Sequence, residues 1–238
     1  MADSDVPERI LIVTAHPDDV DFGAAGSIAS WTKAGAEVTY CIVTNGDAGA
    51  LERETDLGTL EEVRQAEQRA AAAEVGVSDV RFLGYPDGKL EVSLALRRDI
   101  SRVIRSVRPQ RVVTQSPERN WDRIRASHPD HMAAGEATLQ AVYPDARNPF
   151  AHPELLEEGL EPHVVDQVWL MASPRARFAI DITDTLDRKI AALLSHRSQV
   201  GEGDHIAEMI RHWGEHTAEE QGLPAGRIAE AFQIVQTA

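Results

Sequence analysis

The chain has 238 residues, 42% hydrophobic and 26% charged, with 24 Lys and Arg against 39 Asp and Glu. A formal charge of −15 at pH 7 argues against nucleic acid and anionic membrane surfaces as partners, and no apolar run approaches the roughly 20 residues that span a bilayer. A lone cysteine, Cys41, excludes an internal disulfide framework. With an acidic start, Met1 to Asp5, that does not read as a secretory signal, it predicts a cytoplasmic setting and a buried structural thiol.

Arg9-Ile10-Leu11-Ile12-Val13-Thr14-Ala15 reads as a strand buried on both faces. It ends at His16-Pro17, since Pro17 cannot donate to a ladder. His16, Asp18 and Asp19 therefore stand at the carboxyl end of a strand, the edge where open α/β sheets bind ligands. His16 and Asp19, three apart, can reach one ion while Asp18 points elsewhere; taken alone, the motif also fits a turn with a helix-capping Asp. Asp21 as N-cap and Gly35 past the C-terminus bracket a first helix, whose small residues let it lie close on the sheet. Glu37–Thr44 is a second strand, leaving through the glycine-rich Asn45-Gly46-Asp47-Ala48-Gly49. Thr59-Leu60-Glu61-Glu62 has the form of a capping box opening a helix that runs to Gly76. Asp79–Leu83 is a third strand with Gly84-Tyr85-Pro86-Asp87-Gly88 as its exit loop. Ser93 caps a helix ended by Pro109 and followed by strand Arg111–Thr114.

A polar loop, Gln115 to Ser127, delivers His128-Pro129-Asp130-His131 and a helix to about Val142. Tyr143 to Pro162 is Pro-rich and irregular, the expected lid or rim. Strands at Val164–Met171 and Arg177–Ile180 and helices around Asp184–His196, Ile206–Trp213 and Ala225–Val235 complete the chain. The alternation predicts an α/β, Rossmann-like, mostly parallel sheet with helices on both faces and a helical C-terminal elaboration. It predicts one domain over residues 1–238, with a βα core over 1–142 and the lid, extra strands and helices over 143–238.

Four crossovers place His128-Pro129-Asp130-His131 on the same rim as His16-Pro17-Asp18-Asp19. One His, one Asp and a second His leave a fourth position open for water, which distinguishes a catalytic zinc site from a structural one. Spacing does not say whether His128 or His131 is the ligand. His212 and His216 stand four apart, with Gly214 between them and no third ligand in view, so a solvated helix face is the expectation there. His196 is expected in the pocket wall or a subunit contact.

Both motifs, with Thr44-Asn45-Gly46-Asp47-Ala48-Gly49, Arg64-Gln65-Ala66-Glu67, Tyr85-Pro86-Asp87-Gly88 and the later Lys189-Ile190-Ala191-Ala192-Leu193 and Ser195-His196-Arg197-Ser198-Gln199, make the chain resemble the LmbE-like (PIG-L) N-deacetylase superfamily from about residue 9 onward. The resemblance implies one zinc ion (or another divalent metal) held by His16, Asp19 and His131, with Asp18 as the base that deprotonates the attacking water. It makes His128 the cation that steadies the oxyanion and protonates the leaving amine, places Asp130 with the catalytic residues, and has Arg64 and Asp87 bind the sugar. A Tyr that some members carry before the second motif is replaced by Arg125-Ala126-Ser127, which shifts carbonyl activation to the metal and His128, aided by Arg123 or Arg125. The implied reaction removes acetyl from an N-acetylglucosamine-type substrate. Two other readings stay open, an amidase on a larger N-acyl or mycothiol-conjugate-like thiol substrate and a non-catalytic sugar-binding module, as does assembly into homo-oligomers. A serine hydrolase is unsupported, because no G-x-S-x-G is present.

Overall fold

The computed structural model describes residues 6–49, 57–201 and 203–238; the acidic start lies outside them. In chain order the elements are β1 (Arg9–Thr14), α1 (Asp19–Lys33), β2 (Glu37–Thr44), α2 (Leu57–Glu74), β3 (Asp79–Tyr85), α3 (Leu94–Val107), β4 (Arg111–Gln115) and α4 (Pro129–Gln140). There follow α5 (Glu154–Glu157), β5 (Gln167–Met171), β6 (Phe178–Asp181), α6 (Leu186–Leu194), α7 (Arg197–Val200), α8 (Asp204–Glu220) and β7 (Ala229–Gln236). Among the described residues no helix is long and apolar enough to cross a membrane.

The strands form one sheet in the order β3-β2-β1-β4-β5-β7-β6. The first five are parallel, and β7 runs antiparallel between β5 and β6. Ile10 to Val13 are fully buried because β1 is central and covered on both faces. Ile10 and Ile12 pack with α1 and α2, and Leu11 and Val13 with α3 and α4. Strand order reverses between β1 and β4, so α1 and α4 leave on opposite faces and open a crevice at their carboxyl ends, the usual ligand position in such sheets. Cys41 lies in this core, where burial pushes its thiol up to about 12.

Small residues set the close approaches. A Cβ on Gly26 would lie 2.6 Å from Ile182, so α1 sits tight against the segment after β6. A Cβ on Gly135 of α4 would overlap the Gln115 carbonyl. Gln115 in turn accepts the Ala15 N–H at 2.9 Å, one residue before His16. Gly135→Ala is therefore expected to destabilise by ~2 kcal/mol or more through overpacking, lowering Tm by ~4–8 °C in a thermal melt. An unchanged Tm would mean that α4 can slide off the strand.

Several local expectations are corrected. Asp21 is inside the first turn of α1, not its N-cap, and is fully buried. α2 already runs at Leu57, so Thr59 is within the helix instead of opening it. Ala225–Val235 is not helical: Ala229–Gln236 is strand β7. Its true period is two, with Phe232 and Ile234 on one face and Val235 on the other. Glu230, on the Phe232 face, disguised that period; its carboxylate is buried but accepts from Lys189 Nζ at 2.6 Å and from the backbone N–H groups of Gly26 and Ser27.

The stretch 143–162 is not a lid over the site. A βα unit carries the chain from the carboxyl to the amino edge of the sheet, and α4 has made that passage before Tyr143. There the segment is held by Arg105, which donates to the carbonyls of Asp145, Ala146, Asn148 and Ala151. His163 bonds Pro109 O at 2.7 Å, just ahead of β4.

Candidate active site

The two motifs meet in the β1–β4 crevice. After β1 the chain turns at Pro17, and Asp18 adopts φ 91°, a strained value for a residue with a Cβ that persists only where its surroundings hold it. After β4 the loop returns to α4, whose N-cap is His128 with Pro129 in the first turn. The rings of His16, His128 and His131 lie 5.0–5.2 Å apart, centroid to centroid.

Asp19 bridges two of these histidines. Its Oδ2 is 3.2 Å from His16 Nδ1, and its Oδ1 is 3.0 Å from His131 Nε2. Each imidazole turns its other nitrogen to an acceptor. His131 Nδ1 meets Ala126 O at 3.4 Å, and His16 Nε2 meets Asp87 Oδ1 at 2.9 Å and Asp130 Oδ2 at 3.2 Å. His128 differs: its Nδ1 accepts the Asp130 N–H at 3.2 Å, so a neutral ring carries its hydrogen on Nε2. Donor atoms of His16, His128 and His131, and likewise of His16, Asp87 and Asp130, lie within 4.8 Å of one another. His212 and His216 are in neither group; His216 pairs with Glu220 at 3.3 Å.

Opposed charges shift the titrating groups of the crevice. Burial works against charge on His16, but Asp19, Asp130 and Asp87 outweigh it and push the ring up to about 12. Burial also opposes ionisation of Asp19, yet His131 and His16 hold it well below the usual carboxylate range. Asp18 moves the other way: burial and the neighbouring Asp19 charge raise it to about 6, while Arg64 pulls against the rise. His128 is lowered, first by burial and then by the charges of His16 and His131.

Arg64, for which the resemblance implies sugar binding, lies in the interior beside Asp18. Arg64 is 3% exposed and faces inward, donating to Pro17 O at 2.7 Å, Gly46 O at 2.8 Å and Asp18 Oδ2 at 3.1 Å. Asp87 is likewise turned toward His16. Asp130 is 1% exposed and accepts from the Gly88 and Leu90 N–H groups as well as facing His16. It joins the His16 ring to the 88–90 loop. His128 is exposed.

Behind the site stand three residues, of which the sequence left Gln68 unread and gave Asp21 and His196 other roles. Gln68 of α2 accepts the Asp18 N–H at 2.8 Å through Oε1 and donates to Asp21 Oδ2 at 2.8 Å through Nε2. Asp21 Oδ2 also meets His196 Nε2 at 2.8 Å, and all three side chains are fully buried. His196 therefore stands behind the site, in neither a pocket wall nor a subunit contact. The available signal was Arg64 and Gln68, four apart on the helix face that also buries Ala71, Ala72 and Val75. Gln68→Met is expected to lower kcat ~10-fold or more with KM held, since a misplaced reacting group costs rate. Steady-state kinetics showing a KM effect alone would remove Gln68 from this role.

Comparison with known proteins points to deacetylases. Residues 11–142 match the PIG-L family model, GlcNAc-PI de-N-acetylase. The chain is 30% identical over 195 residues to a diacetylchitobiose deacetylase of Thermococcus kodakarensis, covering 82% of this chain and 71% of that one. It is 31% identical over 203 residues to a probable N-acetyl-alpha-D-glucosaminyl L-malate deacetylase 2 of Bacillus cereus, covering 80% and 83%. The crystal structure of an N,N'-diacetylchitobiose deacetylase from Pyrococcus horikoshii superposes with a TM-score of 0.88 at 27% identity, covering 97% of this chain and 84% of that one. With this match across more than half its length, the chain belongs to the PIG-L, LmbE-like family and is an N-deacetylase, a hydrolase of amide bonds.

Proposed function

We propose that the chain removes the acetyl group from an N-acetylglucosamine-type amino sugar, using one divalent metal ion, zinc by donor type, held by His16, Asp19 and His131. The observation that carries this reading is the accounting of ring nitrogens. His16 and His131 each donate one N–H to an oxygen and turn the other nitrogen toward Asp19, the arrangement in which metal-bound histidines are oriented. His128 spends its Nδ1 lone pair on the helix cap and keeps a hydrogen on Nε2, so it is poorly suited to ligate. A metal bound there would polarise the amide carbonyl and acidify a water toward neutral pKa.

The protein's own groups supply the rest. Asp18, held by Arg64 and Gln68, takes a proton from the attacking water and returns it to the departing amine. A carboxyl titrating near the working pH suits both steps. His128 stays neutral and donates its Nε2–H to the developing oxyanion, a revision of the cationic role expected from the resemblance, supported by its cap bond and lowered pKa. Asp87 and Asp130 position His16. A non-catalytic sugar-binding module has no use for a strained, desolvated Asp18 beside this donor set.

Purified protein is expected to carry about one metal per chain and to release primary amine from a panel of N-acetylated amino sugars, with activity lost on chelation and restored by zinc. Full activity in metal-free protein would end the metal assignment. Amine released only from larger N-acyl conjugates would turn the substrate assignment to the amidase reading.

A further inference from the structure

We propose that His196 is a positioning residue for the base: acting through Asp21 and Gln68, it holds the turn at Asp18 without touching substrate. This rests on the deacetylase reading above, in which Asp18 takes the proton of the attacking water.

Asp18 needs holding, because its φ of 91° is costly for a residue with a Cβ and persists only where neighbours fix it. Three hydrogen bonds close a ring around it. The Asp18 N–H donates to Gln68 Oε1 at 2.8 Å, Gln68 Nε2 donates to Asp21 Oδ2 at 2.8 Å, and the Asp21 N–H donates back to Asp18 O at 2.9 Å. The direction of the Gln68 amide decides whether this ring forms. A side-chain amide has an acceptor at one end and two donors at the other, so turned over it would set N–H against N–H at Asp18. The Asp21 carboxylate only accepts; it draws the NH2 end and leaves the carbonyl for Asp18.

His196 fixes that carboxylate. Its Nε2 meets Asp21 Oδ2 at 2.8 Å, so that nitrogen carries the hydrogen. Both side-chain bonds to the carboxylate fall on Oδ2, and among the described residues Oδ1 meets no donor. Without the imidazole, Asp21 and Gln68 would orient only each other and could turn together. The imidazole is itself anchored. It sits at the corner between α6 and α7, where its carbonyl accepts the Gln199 and Val200 N–H groups at 2.9 Å. Just beyond, the Ser198 N–H and hydroxyl donate to Glu67 at 2.8 and 2.6 Å, which ties the corner to the helix that carries Gln68. Lys189 Nζ donates to Phe22 O at 2.6 Å and ties α6 to the first turn of α1. His196, Asp21 and Gln68 are fully buried, so His196 acts on turnover only through these bonds.

The test measures hydrogen exchange of the Asp18 N–H by NMR, Tm, metal content, and kinetics on the amino sugar of the panel that the parent turns over fastest. His196→Leu is expected to lower kcat ~10-fold with KM and metal content unchanged. It is expected to speed Asp18 exchange ~10-fold while the Ile10 to Val13 amides keep their protection, the mark of a local opening. His196→Gln, whose amide nitrogen reaches the Nε2 position, is expected to restore most of the rate. His196→Asn, one methylene shorter, should match the Leu variant, and it keeps a polar group in the same space if Leu folds poorly. Added to Gln68→Met, His196→Leu should cost little more, since both break one chain of bonds. A lowered Tm with kcat unchanged, losses that multiply in the double variant, or a Gln that restores no more than Asn would overturn the role. Asp18 exchange equal in parent and His196→Leu sinks it whatever the substrate. A parent that releases amine from no sugar of the panel sinks the deacetylase reading instead, and the exchange comparison then still decides the hold on Asp18.

Discussion

Asp18→Asn is expected to keep its metal and lose on the order of 10²–10⁴-fold in kcat, whereas Asp19→Ala and His131→Ala are expected to lose the metal itself. The contrast follows from which groups each carboxylate faces. Asp19 has one oxygen on His16 and the other on His131, so its removal breaks the proposed donor set. Asp18 faces Arg64 and donates its backbone N–H to Gln68 Oε1. Asparagine tolerates the left-handed region, so Asp18→Asn changes the charge and spares the turn. The pH dependence has a definite sign. A base works when deprotonated, and Asp18 is raised to about 6, so kcat/KM should fall as pH drops through that region, with a bound cation moving the limb lower. The limb should vanish in Asp18→Asn. Because its folded pKa is raised, ionised Asp18 costs stability that is lost as pH climbs from the unfolded value toward 6, so Asp18→Asn should be at least as stable as the parent at pH 7. His128→Ala should keep its metal and lose ~10²–10³-fold, the scale for one oxyanion donor. Metal content after desalting, measured beside single-turnover amine release, decides the matter. If His128→Ala comes out metal-free while His131→Ala retains its ion, the two histidines have exchanged roles.

The sequence was most informative where one constraint dominated. β1 had to be a buried strand, because Ile10 to Val13 leave no polar face, and Pro17 had to end it. The two His/Asp motifs had to share a rim once strand and helix alternated. Local chemistry misled where a distant partner set the answer. Ala225–Val235 was expected to be helical, and the partners that make room for Glu230 in a strand, Lys189 and the α1 backbone, are distant in sequence. Arg64 received its sugar-binding role from the resemblance alone, and its partners Pro17, Asp18 and Gly46 lie 47, 46 and 18 residues away. Tyr143 to Pro162 looked like a lid because irregular, Pro-rich loops often cover sites; its position followed instead from the direction of α4. Gln68 drew no reading and Asp21 was taken for a cap, since a buried polar residue declares itself only through the group it meets.

Arg64→Met is expected to move the acid limb of kcat/KM upward by ~1 unit or more, the usual influence of a close opposite charge, and to lower kcat at pH 7 on the order of 10-fold or more by weakening the hold on Asp18. Of the influences on Asp18, burial and the Asp19 charge raise its pKa, and Arg64 is the first of those that lower it. With the guanidinium gone the upward pressures remain, so Asp18 stays protonated to higher pH and fewer molecules carry an ionised base at neutrality. Methionine fills much of the same volume but leaves the Pro17 and Gly46 carbonyls without their donor, at about 1–3 kcal/mol each where burial keeps water out. Some loss of Tm should therefore accompany the kinetic change. The discriminating quantity is the pH profile. A residue that bound sugar hydroxyls would raise KM and leave the limb in place, whereas a residue that steadies the base moves the limb, and raising the pH recovers part of the lost rate. Profiles from pH 4.5 to 9 on one amino sugar separate the two. A limb that stays where the parent's lies, with KM alone increased, would return Arg64 to substrate binding and require its side chain to swing out from under Pro17 when substrate arrives.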